Sequence, residues 1–349
     1  MPLEDRMRRR GWITRASIML LLPFVLRPIF SWAQEEKVRV GLLMINADAG
    51  VFAAKERGYF QEQGLSVELL YFASSSGPQL AALTTGELDV GSGSISPGIF
   101  NAVAGGVGMK VVAAKSTIGA RGSGKYVIRS SLVEPGKRPT ISDIKGKVVA
   151  VNSAGGLSRL FLDGFLKKGG LREADVSIRV MAFNEMVGAL AKGAIDVAFL
   201  VQPFATVAEE RGIGIPLLDL AEIFPSHMTN NMFYSDVFIR NRPKVAERFM
   251  VGFLKGQRYF HDVVFKKKEP MDRVIDVVAK YTRVKDRKSV QLGLSVQDLA
   301  PNGEVNLKEI EDDQEWYFQR GLIKTEADVH KMTDLRFLQA ALQVLGLYR

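Results

Sequence analysis

Ala82-Leu83-Thr84-Thr85-Gly86-Glu87-Leu88-Asp89-Val90 returns 107 residues later as Ala189-Leu190-Ala191-Lys192-Gly193-Ala194-Ile195-Asp196-Val197. Each copy reads as the end of a helix, a glycine stop and a short apolar strand. Each lies downstream of a Ser/Gly-rich loop that follows another strand pattern. A repeated unit of this kind predicts two lobes facing each other across a cleft. Such a cleft suits a small molecule better than a nucleic acid or a protein.

Outward from the first copy, strand patterns fall at 37–43, 65–72, 88–91 and 109–114. A short helix at 51–57 stops at Gly58, and another opens at Gly77-Pro78 and ends at Gly86. Around the second copy, strands are predicted at 126–129, 147–152, 176–182 and 195–201. A helix at 157–168 closes on Gly169-Gly170, and a second is capped by Asn184 and runs to 192. Alternating strands and helices predict an α/β fold, with a mostly parallel sheet flanked by helices in each lobe. Residues 232–239 read as one long strand, and from Pro243 onward the pattern is helical, predicted to pack around the first lobe. The expected division is 1–33 as a leader, 34–122 as the first part of lobe one, 123–231 as lobe two, and 232–349 as a crossover strand with closing helices.

The leader reading rests on a basic stretch at 6–15, an apolar run at 16–26 and the exit Ser31-Trp32-Ala33. That is the order of a cleavable export signal. The apolar run is shorter than the roughly 20 residues a spanning helix needs. Arg9-Arg10-Gly11-Trp12-Ile13 also resembles a twin-arginine motif. The formal charge is +9, of which the first 33 residues carry +4. The mild remainder, with Lys266-Lys267-Lys268 as a solvated helix end, gives little for a nucleic acid to bind. The chain has no cysteine. Disulfides, thiolate metal sites, a cysteine nucleophile and a lipid-modified cysteine are thereby excluded. An exported protein of this kind is expected free in a periplasm.

Gly119-Ala120-Arg121-Gly122-Ser123-Gly124-Lys125 fits most of a phosphate-binding loop. Tyr126 stands where a magnesium-holding hydroxyl is needed, and the residues after it are strand-like. A glycine-rich hinge is the better reading. His227, His261 and His330 are scattered, with no partner at metal-ligand spacing. Asp312-Asp313 reads as a solvated helix face. No catalytic constellation, metal site or cofactor site is expected.

Two loops remain. Ser74-Ser75-Ser76-Gly77 precedes one helix, and Ser153-Ala154-Gly155-Gly156-Leu157-Ser158 precedes another. A helix start leaves free N–H groups and a partial positive charge, and small residues let a ligand approach closely. Two such starts, one per lobe, can clamp a polar or anionic group. The same serines can also serve merely as caps.

Val38-Arg39-Val40-Gly41, Ala54-Lys55-Glu56-Arg57-Gly58-Tyr59-Phe60 with Gly64-Leu65, both glycine–aspartate segments, Gln202-Pro203-Phe204 and the closing segment 334–346 resemble one family. These are the solute-binding proteins of nitrate/sulfonate/taurine-type ABC importers, grouped with the thiamine-pyrimidine-precursor proteins. The resemblance implies a type II periplasmic-binding fold that closes on a small polar or anionic solute and docks on a membrane permease. It implies a monomer, no cofactor, no metal and no catalysis. By position it places Asn46, Asp48, Ser74, Ser75 and Ser94 in the cleft from lobe one. From lobe two it places Asn152, Ser153, Gly155, Gly156 and Gln202. The second-lobe loop departs from the Gly-Thr/Ser-Ser of sulfonate binders, which puts sulfonate in doubt. Two alternatives stay open: an enzyme of the same fold that builds the thiamine pyrimidine, which usually carries a cysteine-rich motif, and a partner that loads a membrane sensor.

Overall fold

The computed structural model describes residues 35–73, 77–119, 124–282 and 284–349. The leader, Ser74–Ser76 and most of the glycine-rich stretch before Lys125 lie outside the described residues. The chain opens with β1 (Glu36–Leu42), α1 (Ala49–Glu56), β2 (Leu65–Tyr71), α2 (Pro78–Thr85), β3 (Val90–Gly93), α3 (Pro97–Ala104) and β4 (Met109–Thr117). Next come β5 (Gly124–Arg129), β6 (Val148–Val151), α4 (Leu157–Lys168), β7 (Ser177–Val180), α5 (Phe183–Ala191), β8 (Val197–Val201), α6 (Phe204–Glu210) and β9 (Gly214–Asp219). The last stretch holds β10 (Met228–Ser235), α7 (Asp236–Asn241), α8 (Pro243–Val264), α9 (Asp272–Tyr281) and α10 (Arg287–Ser295). It closes with β11 (Asp298–Leu299), α11 (Leu307–Gln319), α12 (Val329–Met332) and α13 (Arg336–Leu345).

Two sheets result. The first runs β11-β4-β10-β3-β1-β2, with β1 parallel to β2 and β3 and with β10 antiparallel between β3 and β4. The second runs β7-β6-β8-β5-β9, with β6 parallel to β7 and β8 and with β5 antiparallel to its neighbours. Helices between successive parallel strands are the crossovers such pairing requires.

The repeat explains why the two halves fold alike. Gly86 and Gly193 take φ of +76° and +71°, the left-handed conformation that ends a helix and favours glycine. Their amides donate to the carbonyls of Leu83 and Leu190, themselves 107 residues apart. The strands beyond these glycines join the parallel partner at Val40↔Val90 and Val149↔Val197.

Aromatic packing anchors each sheet to its helices. Tyr126 on β5 is fully buried, stacks on Phe165 of α4 at 4.0 Å and donates its hydroxyl to the Ser158 carbonyl at 3.3 Å. Under the first sheet, Phe60 stacks on Phe249 of α8 at 4.9 Å. A buried aromatic with a satisfied hydroxyl is among the larger single contributions to a core.

One sequence expectation needs correction. The strand predicted over 232–239 stops at Ser235, and residues 236–241 are helical. Ser235 accepts the Phe238 amide at 3.0 Å, a side-chain cap that competes with strand continuation. The C-terminal helices also do more than cover the first sheet. α8 and α9 pack on α1, but α10 packs on α6, and α11 touches both α3 and α4. No helix among the described residues is long and apolar enough to cross a membrane.

Candidate functional site

Parallel strands deliver their following loops to one edge of a sheet, where open α/β folds place ligands. Here the loops after β1 and β3 meet those after β6 and β7, with the end of β8 beside them. They border a cavity that is partly open to solvent. Leu43, Ile45, Ala47, Ser94 and Ser96 line it from the first sheet's loops. Asn152, Ser153 and the α4 residues Leu157, Ser158 and Phe161 line it from the second. Phe183 and Phe199 close the second-sheet side, Thr229 and Asn230 of β10 supply one wall, and Gln297 enters from the segment after α10.

The two lobes come close at this edge. A Cβ built on Gly155 would sit 3.6 Å from Pro97 Cγ, and one on Gly156 would sit 3.9 Å from Ser94 Oγ. The two helix starts thus face each other. α3 is capped by its own serine, Ser96 Oγ accepting the Ile99 amide at 3.4 Å, whereas before α4 Ser153 Oγ accepts the amide of the N-cap residue Gly156 at 3.1 Å and closes the loop turn. Outside the cavity's rim, the Tyr71 hydroxyl lies 3.4 Å from Asn184 Oδ1, joining the end of β2 to the first turn of α5.

Of the residues expected in the cleft, Ser94, Asn152 and Ser153 line the cavity. Gly155 and Gly156 sit at the contact between the loops. Ser74 and Ser75 lie outside the described residues. Asn46, Asp48 and Gln202 stand behind the wall and do not line it, each almost wholly buried. The reason is a polar cluster under the first sheet. Asp48 pairs with the fully buried Lys115, which also contacts Ser92 Oγ, and the Asp48 carboxylate accepts the Ile45 amide at 3.1 Å. Burial pushes the Lys115 ammonium below its ordinary pKa, and Asp48 counters it. Gln202 Oε1 accepts the Thr206 hydroxyl at 2.8 Å. The Asn46 amide donates to the Gln202 carbonyl at 3.2 Å and so ties the two lobes together behind the cavity.

The residues that sequence reasoning missed are mostly apolar. Phe161 reads as one face of an amphipathic helix and Phe199 as part of an apolar strand, patterns that do not distinguish a core from a cavity wall. Lys115 did leave a signal: it ends the run Val111-Val112-Ala113-Ala114, where a lysine needs a buried partner. The loop that resembled a phosphate site is strand from Gly124 onward, and Lys125 pairs with Glu209 at 2.9 Å.

A two-sheet α/β architecture with a crossing strand in each sheet and a cavity between them is the type II fold of periplasmic binding proteins. The chain belongs to the NMT1-like family, which matches residues 32–269. No curated protein matches it by sequence. Among solved structures, it resembles the periplasmic nitrate-binding protein NrtA from Synechocystis PCC 6803, with a TM-score of 0.74, 15% identity and 89% of each chain covered. It also resembles the ligand binding component of an ABC-type import system from Staphylococcus aureus, with a TM-score of 0.71, 15% identity, and 88% of this chain and 99% of that one covered. The alkanesulfonate-binding protein SsuA from Xanthomonas axonopodis pv. citri gives a TM-score of 0.69 at 17% identity, over 87% of this chain and 99% of that one. The fold is not confined to binding proteins: the desulfurization enzyme DSZB shares it, with a TM-score of 0.64 at 13% identity.

Proposed function

We propose that this chain is the exported solute-binding component of an ABC importer, working in a periplasm as a monomer. On this reading it captures a small organic solute in the cavity and hands it to a membrane permease. The first sheet with the helices packed on it forms one jaw, and the second sheet with its own helices forms the other. They part to admit the solute and close on it, as a solute that binds the closed state better must make them do. The observation that carries the reading is the shared lining: Ser94 and Ser96 come from one sheet's loops, Asn152 and Ser153 from the other's.

Binding rather than chemistry fits the described lining. It offers hydroxyls, amides and apolar groups, with no base beside a nucleophile. The test is thermal unfolding of the full chain against sulfonates, nitrate, carboxylates and thiamine precursors. A solute that binds only the folded state raises the melting temperature with its concentration. A chain whose melting point none of them moves, and which retains no small molecule on purification, is not a solute carrier.

A further inference from the structure

We infer that Gln297 and Asn230 select for an uncharged solute with a flat apolar body and at least one N–H or O–H group. The inference rests on the cavity being the solute site and deepens that reading.

The apolar part comes from three rings. Phe161 and Phe183 stand edge-on to Phe199, at 6.1 Å and 6.0 Å between centroids and interplanar angles of 70° and 69°. All three line the cavity, and an aromatic guest finds ring edges and faces there at ordinary packing distance.

The lack of charge follows from the donors. Among the described residues, no lysine, arginine or histidine lines the cavity. Behind the wall, Lys115 is paired with Asp48. At the start of α3 the Ile99 amide already turns to Ser96 Oγ, and in the loop before α4 the Gly155 and Gly156 amides turn to Ser153 Oγ. An oxyanion buried here would lose its water with no cation in return, which is costly.

The N–H or O–H requirement comes from acceptors. Gln297, only 3% exposed, donates Nε2 to the Asp298 carbonyl at 3.2 Å. A carbonyl can only accept, so the amide's orientation is set, and Gln297 offers Oε1 beside its one remaining N–H. Asn230 directs Nδ2 to Ser116 Oγ at 3.1 Å and to Thr229 Oγ1 at 3.3 Å, leaving Oδ1. Two carbonyl oxygens in a wall attract a donor and repel an oxyanion. Gln297 lies beyond the residues 32–269 matched by the family.

The test is calorimetry on the full chain with matched pairs: benzamide against benzoate, benzyl alcohol against benzenesulfonate, and nitrate besides. The uncharged member of each pair is expected to bind at least tenfold more tightly, and Gln297→Leu to weaken it about tenfold while narrowing its advantage over the anion. Anions binding as tightly as their uncharged partners, or none of the five binding, overturns the inference. Ser153→Trp, or Thr229→Trp should the first not fold, separates the two levels. Anion binding that this block abolishes leaves the cavity standing and sinks only the selection. Binding of the uncharged members that survives the block sinks the cavity as the site.

Discussion

Asp89 and Asp196 make the same bond one repeat apart. Asp89 accepts the Arg39 amide at 2.9 Å, and Asp196 accepts the Val148 amide at 3.0 Å. Each carboxylate also holds an arginine of its own sheet, Arg39 and Arg129 respectively. The repeated aspartate is therefore the clip that fixes each post-glycine strand beside its parallel neighbour. Asp89 is the more deeply placed, with a second arginine, Arg242, on it. Asp89→Asn is expected to cost about 3 kcal/mol, because it leaves two half-buried guanidinium groups without their anion. Asp196→Asn should cost about 1 kcal/mol. Urea unfolding of both variants measures the difference, and equal losses would refute the ranking.

Acid should act on the same clip. Burial alone would raise the Asp196 carboxyl, but the Val148 amide and Arg129 outweigh it and hold it below its ordinary value. A lowered folded pKa stabilises above the unfolded value near 3.8, and that stability is lost as pH falls through the lowered one. Between pH 5 and pH 3, Asp196→Asn should lose less stability than the parent chain. Parallel acid curves would show that the clip does not titrate this way.

His227 should give the opposite sign. Its ring lies 3.1 Å from Asp313, meets Phe161 of the cavity wall edge-on at 5.3 Å, and has Glu309 at 3.3 Å. Burial alone would lower the imidazole, but the Asp313 hydrogen bond and the two carboxylates raise it. Burial also lifts Asp313, with His227 countering it. The stabilisation from charged His227 is full below about pH 6.5 and is lost as pH rises through the raised value. His227→Gln should flatten that alkaline decline in a stability–pH series, and a variant that declines as steeply as the parent contradicts it.

Lys115 and Asp48 should tolerate joint replacement better than single loss. Lys115→Met leaves the Asp48 carboxylate buried beside Ser92 without a cation, at a cost of about 3–5 kcal/mol. Lys115→Met with Asp48→Leu should recover part of that. Chemical unfolding decides it: a double variant weaker than the sum of the singles would show that the pair does not act as a unit.

Gly293 sets how closely α10 seats behind the cavity. A Cβ there would fall 2.8 Å from Asn46 Nδ2, 3.0 Å from Gln202 Oε1 and 3.3 Å from Pro203 Cα. Gly293→Ala should cost about 1–3 kcal/mol and weaken solute binding, because the displaced groups tie the jaws together. Unchanged affinity by calorimetry would detach α10 from closure.

Much of the frame was legible in the residues. The helix at 157–168 is found with the same bounds, because its apolar stripe and Gly169-Gly170 state both its face and its end. The glycine–aspartate repeat by itself marks two like units. The site was less legible. Ser94, Asn152 and Ser153 could be named because loops after strands carry polar small residues for few other reasons. Asn46, Asp48 and Gln202 sit on such loops too, but Lys115, far from Asp48 in sequence, and Thr206, one helical turn after Gln202, draw Asp48 and Gln202 inward. The aromatic wall was invisible because a phenylalanine facing a cavity and one facing a core obey the same periodicity. Asp236 begins a helix inside an apparent strand because a serine cap overrides β-favouring neighbours.

The place of β10 between β3 and β4 governs the order in which the chain can be finished. Residues 124–219 contain every strand of the second sheet and need nothing later to close it. The first sheet stays split, with β1, β2 and β3 on one side of a gap and β4 on the other, until Met228–Ser235 has emerged to fill it. A nascent chain that stalls before that point holds one finished half and one open seam, with unpaired backbone on both lips. Whatever escorts the unfinished chain must guard that seam or wait for the strand that seals it.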